Sequence, residues 1–254
     1  MPICAKQYVF GVVPQQSPEV LIKKWQPIAD YLSKQTGQEI LFKTEASIDE
    51  FEKVLYKGGY DFAYMNPYHY ILANRKQSYY AELRADKRIK GILVSSGGNL
   101  EYFLDNEKTQ FLFPSPNAFA ATLLVKYELL MVFDVDLNKL KNYQYVGSHD
   151  AVYKGIADNQ AQLGGGVQRT FTNFEKSAVK DKLEIVYETK LYPSHPLAFK
   201  PDMDRQLKDK IIDALLNLPE ELISALSIKE MIRTSDGEYD CIRDVESKLE
   251  IVER

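Results

Sequence analysis

The sequence is poor in the residues that build metal and redox centres, with three histidines, two cysteines and one tryptophan among 254 residues. So few imidazoles exclude a histidine-rich metal centre. Cys4 and Cys241 stand far apart, without CxxC or Cys/His spacing, which argues against a zinc site or a redox dithiol. No run of roughly 18 apolar residues occurs, so the chain as given carries no membrane-spanning helix. A net charge of -4 removes the overall basic field on which nucleic-acid binding depends, and nucleic acid is not an expected partner. Neither GxSxG nor HExxH is present, and three scattered histidines do not supply both a metal cage and a base. The expectation is a non-enzyme without cofactor or metal.

What is abundant is tyrosine and phenylalanine, 17 and 12 residues, the material of a pocket or interface lined by rings with polar tips. Hydrophobic residues at 45% and charged ones at 27% are the balance of an ordinary globular protein, and the length suits two domains of modest size. At the N-terminus, Ile3-Cys4-Ala5 admits two readings: the small-residue end of a secretory signal peptide cleaved after Ala5, or an ordinary frayed terminus. On the first, the mature chain keeps only Cys241 and forms no internal disulfide.

Along the chain, the spacing predicts a strand over 8–13, ended by Pro14. A helix follows, capped by Ser17 with Pro18 at its first position, and carries Leu21, Trp25, Ile28 and Leu32 on one face up to Gly37. Trp25 falls on that apolar stripe and reads as core. A strand over 39–44 precedes the capping box Ser47-Ile48-Asp49-Glu50, and a strand over 61–65 precedes a helix opened by Pro67. This alternation is the pattern of a parallel, doubly wound sheet. Further strands are expected at 92–95, 111–113, 143–146, 183–187 and 197–199, a helix at 118–130, and helices towards the end. Gly164–Gly166 lacks the Lys and Ser/Thr of a phosphate loop and reads as a tight turn with close backbone approach.

Several of these pieces together resemble one family, the phosphate/phosphite/phosphonate-binding proteins of bacterial ABC importers. They are Gly11-Val12-Val13-Pro14 with Pro18, Trp25-Gln26-Pro27-Ile28 leading to Tyr31-Leu32, and Gly59-Tyr60-Asp61-Phe62-Ala63-Tyr64 with Pro67 and Tyr68. Ser148-His149-Asp150-Ala151, Tyr192-Pro193-Ser194-His195-Pro196-Leu197 and Tyr239-Asp240 with Ile242-Arg243 complete the set, in order over almost the whole chain. The resemblance implies an α/β, type II periplasmic-binding-protein fold: two doubly wound lobes with a hinge and a central ligand cleft. Lobe 1 would be 1–95 plus 198–254, and lobe 2 would be 96–197.

The resemblance also marks a departure. The family holds an oxyanion with a Ser-Thr-Ser-Gly run after a proline, at a helix N-terminus. The equivalent stretch here is Pro116-Asn117-Ala118-Phe119-Ala120-Ala121-Thr122, in which Ala118, Phe119 and Ala120 replace the three hydroxyls. Each lost charge-assisted hydrogen bond is worth about 1.5–3 kcal/mol, so together they remove several orders of magnitude in phosphonate affinity. The family's two carboxylates for an ammonium tail correspond to the Gly164–Gln168 region and to His195, neither of them an anion.

The candidate ligand-binding residues are therefore Tyr64, Asn66, Tyr68, Asn117, Ala118, Phe119, Ala120, Thr122, Ser148, His149, Gln168 and His195, with Gln15 and Gln16 as weaker candidates. For Tyr64, Tyr68 and His69, packing between helix and sheet is the competing reading. For His195 it is a stiff hinge loop, and for His149 a surface cap. Asp150 reads as a first-turn acid that favours the helix dipole. The expected function is a periplasmic or otherwise exported solute-binding protein of an ABC importer. Its ligand is small, with an aromatic or apolar portion and an oxyanion weakly held, and its partner is a membrane permease. The alternative is an extracytoplasmic sensing module whose partner is a sensor kinase.

Overall fold

A computed structural model describes residues 7–172, 174 and 177–251 of the chain, so the proposed signal-peptide remnant at 1–5 lies outside the described residues. In chain order the elements are β1 Gln7–Val12, α1 Pro18–Thr36, β2 Glu39–Lys43, α2 Ile48–Leu55, β3 Phe62–Tyr64, α3 Pro67–Gln77, β4 Tyr80–Ala85 and β5 Gly91–Ser95. There follow α4 Leu100–Leu104, β6 Phe111–Phe113, a π-helix Phe119–Leu124, α5 Val125–Phe133, α6 Leu137–Leu140, β7 Tyr143–Tyr145, α7 His149–Ala157 and β8 Leu163–Val167. The remainder is α8 Gln168–Thr172, α9 Ser177–Lys180, β9 Glu184–Glu188, β10 Pro196–Phe199, α10 Arg205–Leu216, α11 Glu220–Ala225, β11 Met231–Arg233, a 3-10 turn Asp236–Tyr239 and α12 Asp240–Lys248.

The chain divides into two compact units. The first holds the described residues up to Arg88 together with Pro193–Ile242, the second Ile89–Tyr192 with the residues from Arg243 onward. The passages between them fall at 88/89, 192/193 and 242/243, where the sequence suggested 95/96 and 197/198 and kept the C-terminal segment whole.

The first unit is built on a six-stranded sheet in the order β11-β4-β10-β3-β1-β2. β1, β2 and β3 run parallel, as their β-α-β connections demand. β10 is antiparallel to β3 and to β4, and β11 antiparallel to β4, so the sheet is mixed rather than wholly parallel. Ser17 precedes α1 without the side-chain capping bond expected of it, while the other local signals act as the sequence suggests. Gly37 ends α1 at φ 69, and the Ser47 hydroxyl accepts from the Glu50 amide at 3.2 Å to start α2. α1 and α10 cover one face, with Trp25, Ile28, Leu32, Ile211 and Leu215 against Phe10, Phe62 and Phe199 of the sheet.

The second unit carries a five-stranded sheet, β7-β6-β8-β5-β9. β7, β6 and β8 are parallel, while β5 is antiparallel to β8 and β9. One face packs Val152, Tyr153 and Ile156 of α7 against Ile92, Val94 and Leu112; the other packs Val125 and Leu129 of α5 against Leu93, Phe111, Phe113 and Leu163.

Two local readings are corrected. Gly164–Gly166 is no turn but the middle of β8, and the glycines are there because both faces of the strand are crowded. A β-carbon on Gly164 would meet Val152 and Ile156 at 2.7 Å, and one on Gly165 would overlap the Ala121 carbonyl oxygen. The run read as one helix over 118–130 opens as a π-helix and becomes α-helical only from Val125 to Phe133.

Candidate functional site

In the second unit, β7, β6 and β8 are parallel neighbours, so the π-helix, α7 and α8 that follow them all begin at one edge of the sheet. This is the edge at which α/β sheets bind ligands. The Val146 amide donates to Phe113 O at 2.9 Å and the Gly147 amide to Pro114 O at 2.8 Å, tying the entry to α7 to the loop that leads into the π-helix. Gly147 turns there at φ 88.

At the start of the π-helix, the Thr122 and Leu123 amides both donate to Ala118 O, at 2.8 and 3.3 Å. The amides of Phe119, Ala120 and Ala121 meet no acceptor among the described residues, as the first turn of a helix requires. Residues 118–121 carry no hydroxyl. Ala118 and Ala120 offer methyl groups, and the buried Thr122 Oγ1 donates to Ser115 O at 2.7 Å. The Phe119 ring is buried at 4% exposure, edge-on to Tyr192 at 6.4 Å, so this residue presents its amide rather than its ring. Asn117 and Ala118 are half-buried.

At α7, Ser148 is exposed and its hydroxyl accepts from the Ala151 amide at 3.1 Å. His149, the first helical residue, is half-buried and its Nδ1 is enclosed without a partner. Burial pushes its pKa down to about 4 against the opposing charge of Asp150, and Arg169 depresses it further, so the ring is neutral at physiological pH. Asp150 sits in the first turn, where its charge favours the dipole. Gln168, at the end of β8, is exposed. Arg169 beside it was missed by sequence reasoning.

In the first unit, Tyr64 ends β3 and its ring lies between two others, Trp25 at 4.8 Å and His195 stacked at 5.4 Å and 22°. Gln15 Nε2 is 2.5 Å from His195 Nε2, which fixes the imidazole over Tyr64. Asn66 is buried and caps α3, its Oδ1 accepting from the His69 amide at 2.7 Å. Tyr68 and His69 belong to the interior. Tyr68 is 2% exposed, and His69 is fully enclosed with Nε2 3.0 Å from Glu52 Oε1. Gln16 is exposed and its Oε1 accepts from Lys24 Nζ at 2.9 Å. Among the described residues no cluster of His, Cys, Asp and Glu could hold a metal ion, and no helix is long and apolar enough to cross a membrane.

The sequence pattern of one protein family, described as ABC transporter, phosphonate, periplasmic substrate-binding protein, matches residues 10–239. Among solved structures, the chain resembles a binding-protein component of an ABC phosphonate transporter from Pseudomonas aeruginosa. The TM-score is 0.82 at 17% identity, covering 97% of this chain and 87% of that one. It also resembles PhnD1 from Prochlorococcus marinus, solved in complex with methylphosphonate, with TM-score 0.83, 18% identity, and coverage of 97% and 99%. A weaker likeness, TM-score 0.55 at 15% identity over 87% and 92%, is to the periplasmic VFT2 domain of Bordetella pertussis BvgS. At these identities the structures speak for the fold alone.

Proposed function

The chain belongs to the family of periplasmic substrate-binding proteins of ABC phosphonate transporters, with its type II periplasmic-binding-protein fold. From that premise we propose that it is a non-enzymatic, exported solute-binding protein that hands a small ligand to a membrane permease. The observation that carries the reading is the start of the π-helix, where the amides of Phe119, Ala120 and Ala121 have no acceptor among the described residues at the positive end of the helix. Such donors suit an anionic group. Without hydroxyls on residues 118–121 they hold it weakly, since each missing charge-assisted bond forfeits about 1.5–3 kcal/mol. Binding of methylphosphonate, phosphite and phosphate is therefore expected to be weak or undetectable by calorimetry. Submicromolar affinity for any of them would overturn the weak-binding expectation and leave the solute-binding role standing.

A second reading, in which the same fold outside the membrane reports occupancy to a sensor kinase, is supported by the likeness to a histidine kinase sensor domain with similarity to periplasmic binding proteins. Neighbouring genes for a permease and an ATPase favour transport; a neighbouring kinase favours sensing.

A further inference from the structure

Arg169 lies where β8 passes into α8, at the sheet edge that carries the π-helix and the start of α7. Its position is set by Tyr153, one turn beyond His149 in α7. The Tyr153 hydroxyl accepts from the Val167 amide at 3.3 Å and shares a hydrogen bond with Thr170 Oγ1 at 2.7 Å. The two residues between those anchors, Gln168 and Arg169, are thereby tethered beside α7. Gly166 permits this approach, since a β-carbon there would stand 2.5 Å from the Tyr153 oxygen.

The Arg169 side chain is exposed and forms no ion pair or hydrogen bond among the described residues. Its charge acts on His149, lowering that imidazole's pKa. Asp150 acts on His149 in the opposite sense but makes no ion pair with Arg169. A guanidinium presents five donors in a rigid fork that matches a carboxylate or phosphate, and it keeps its charge at every physiological pH. Among the described residues the fork is uncommitted, at the sheet edge where α7 begins.

We propose that Arg169 is a specificity-determining residue: it selects a small ligand with a second anionic group, a carboxylate or phosphate separated by a short spacer from the group held at the π-helix. The proposal rests on the solute-binding reading above and names the charge of the ligand's far end. It disfavours an ammonium tail, which would meet the like charge of Arg169 as well as the opposite charge of Asp150.

The test is calorimetry on the full chain with methylphosphonate, phosphonoacetate, succinate and 2-aminoethylphosphonate, in the wild type, Arg169→Gln and Arg169→Glu. In the wild type, phosphonoacetate binds at least tenfold more tightly than methylphosphonate, succinate binds measurably, and 2-aminoethylphosphonate is weakest. Arg169→Gln abolishes the phosphonoacetate advantage and leaves the melting temperature unchanged. Arg169→Glu reverses the order in favour of 2-aminoethylphosphonate. The proposal is overturned if phosphonoacetate shows no advantage, if the advantage survives in Arg169→Gln, or if neither dianion binds. Submicromolar methylphosphonate with the Arg169-dependent gain intact would instead overturn only the weak-phosphonate reading.

Discussion

The carbonyl oxygen of Ala121 lies directly over the α-carbon of Gly165, and a β-carbon at that position would come far inside the 3.0 Å that real β-carbons keep. The Ala120 carbonyl stands in the same relation to Gly91. Two successive carbonyls of the π-helix are thus seated on two neighbouring strands through glycine, and the helix opening is shaped by the sheet beneath it.

Gly165→Ala and Gly91→Ala are therefore expected to destabilise the second unit by at least about 2 kcal/mol each, since backbone, not a flexible side chain, must move. Urea denaturation measures the loss, and wild-type stability in either variant would show that the helix does not rest on these glycines.

Lys126 is 5% exposed, with Nζ over the Tyr143 ring at 3.4 Å and hydrogen bonds to Tyr145 Oη at 3.1 Å and Asn138 Oδ1 at 3.2 Å. Burial pushes its pKa down to about 8 from 10.5, with Asp136 opposing. Between those values the unfolded chain binds more protons than the folded one, so stability rises with pH from about 8 to 10.5, and below pH 8 the penalty of burying the charge is full and constant. Lys126→Met is expected to raise stability at pH 7 by about 1–2 kcal/mol and to flatten the rise from pH 8 to 10.5. Paired melting curves across that range decide it; parallel curves for the two proteins would refute the assignment.

Glu128 is 2% exposed and holds the segment leading to the unit boundary: its carboxylate accepts from Tyr187 Oη at 2.7 Å, the Lys190 amide at 2.8 Å and Tyr192 Oη at 3.1 Å. Glu128→Ala removes the acceptor shared by three donors, and the expected cost is about 2–4 kcal/mol. Amide exchange at Lys190 should accelerate in the same variant. Unchanged exchange would mean the segment is held by other groups.

Asn66→Ala removes the α3 cap and is expected to cost about 1 kcal/mol, whereas Asn66→Asp keeps an accepting oxygen for the His69 amide and recovers most of it. Thermal denaturation of the two variants separates the cap from any other role of the side chain. Equal losses would show that the carbonyl oxygen of Asn66 is not what matters.

Much of this was legible in the residues. Ser47 and Ser148 announce their helices because a hydroxyl before a run of helix formers has one best use, and Pro18 and Pro67 fit only a first turn. The π-helix was not legible. Ala, Leu and Val from 120 to 125 favour any helix, and the choice between the two kinds is made by contact with Gly91 and Gly165. The same contact explains why a glycine run was read as a turn: glycine is costly in a strand, and only crowding from both faces makes it the sole residue that fits. Arg169 carries no motif. Its importance comes from the Tyr153 hydroxyl sixteen positions earlier, a long-range bond without local signature.

Trp25, the sole indole in the chain, lies 4.8 Å from Tyr64, whose ring stacks in turn on His195. The protein therefore contains its own optical probe. Tryptophan emission reports from a single place in the first unit, two rings away from an imidazole that Gln15 holds still. Any solute that shifts His195 or Tyr64 will alter that emission, and titrating unlabelled protein will follow it without a tag or a competing ligand.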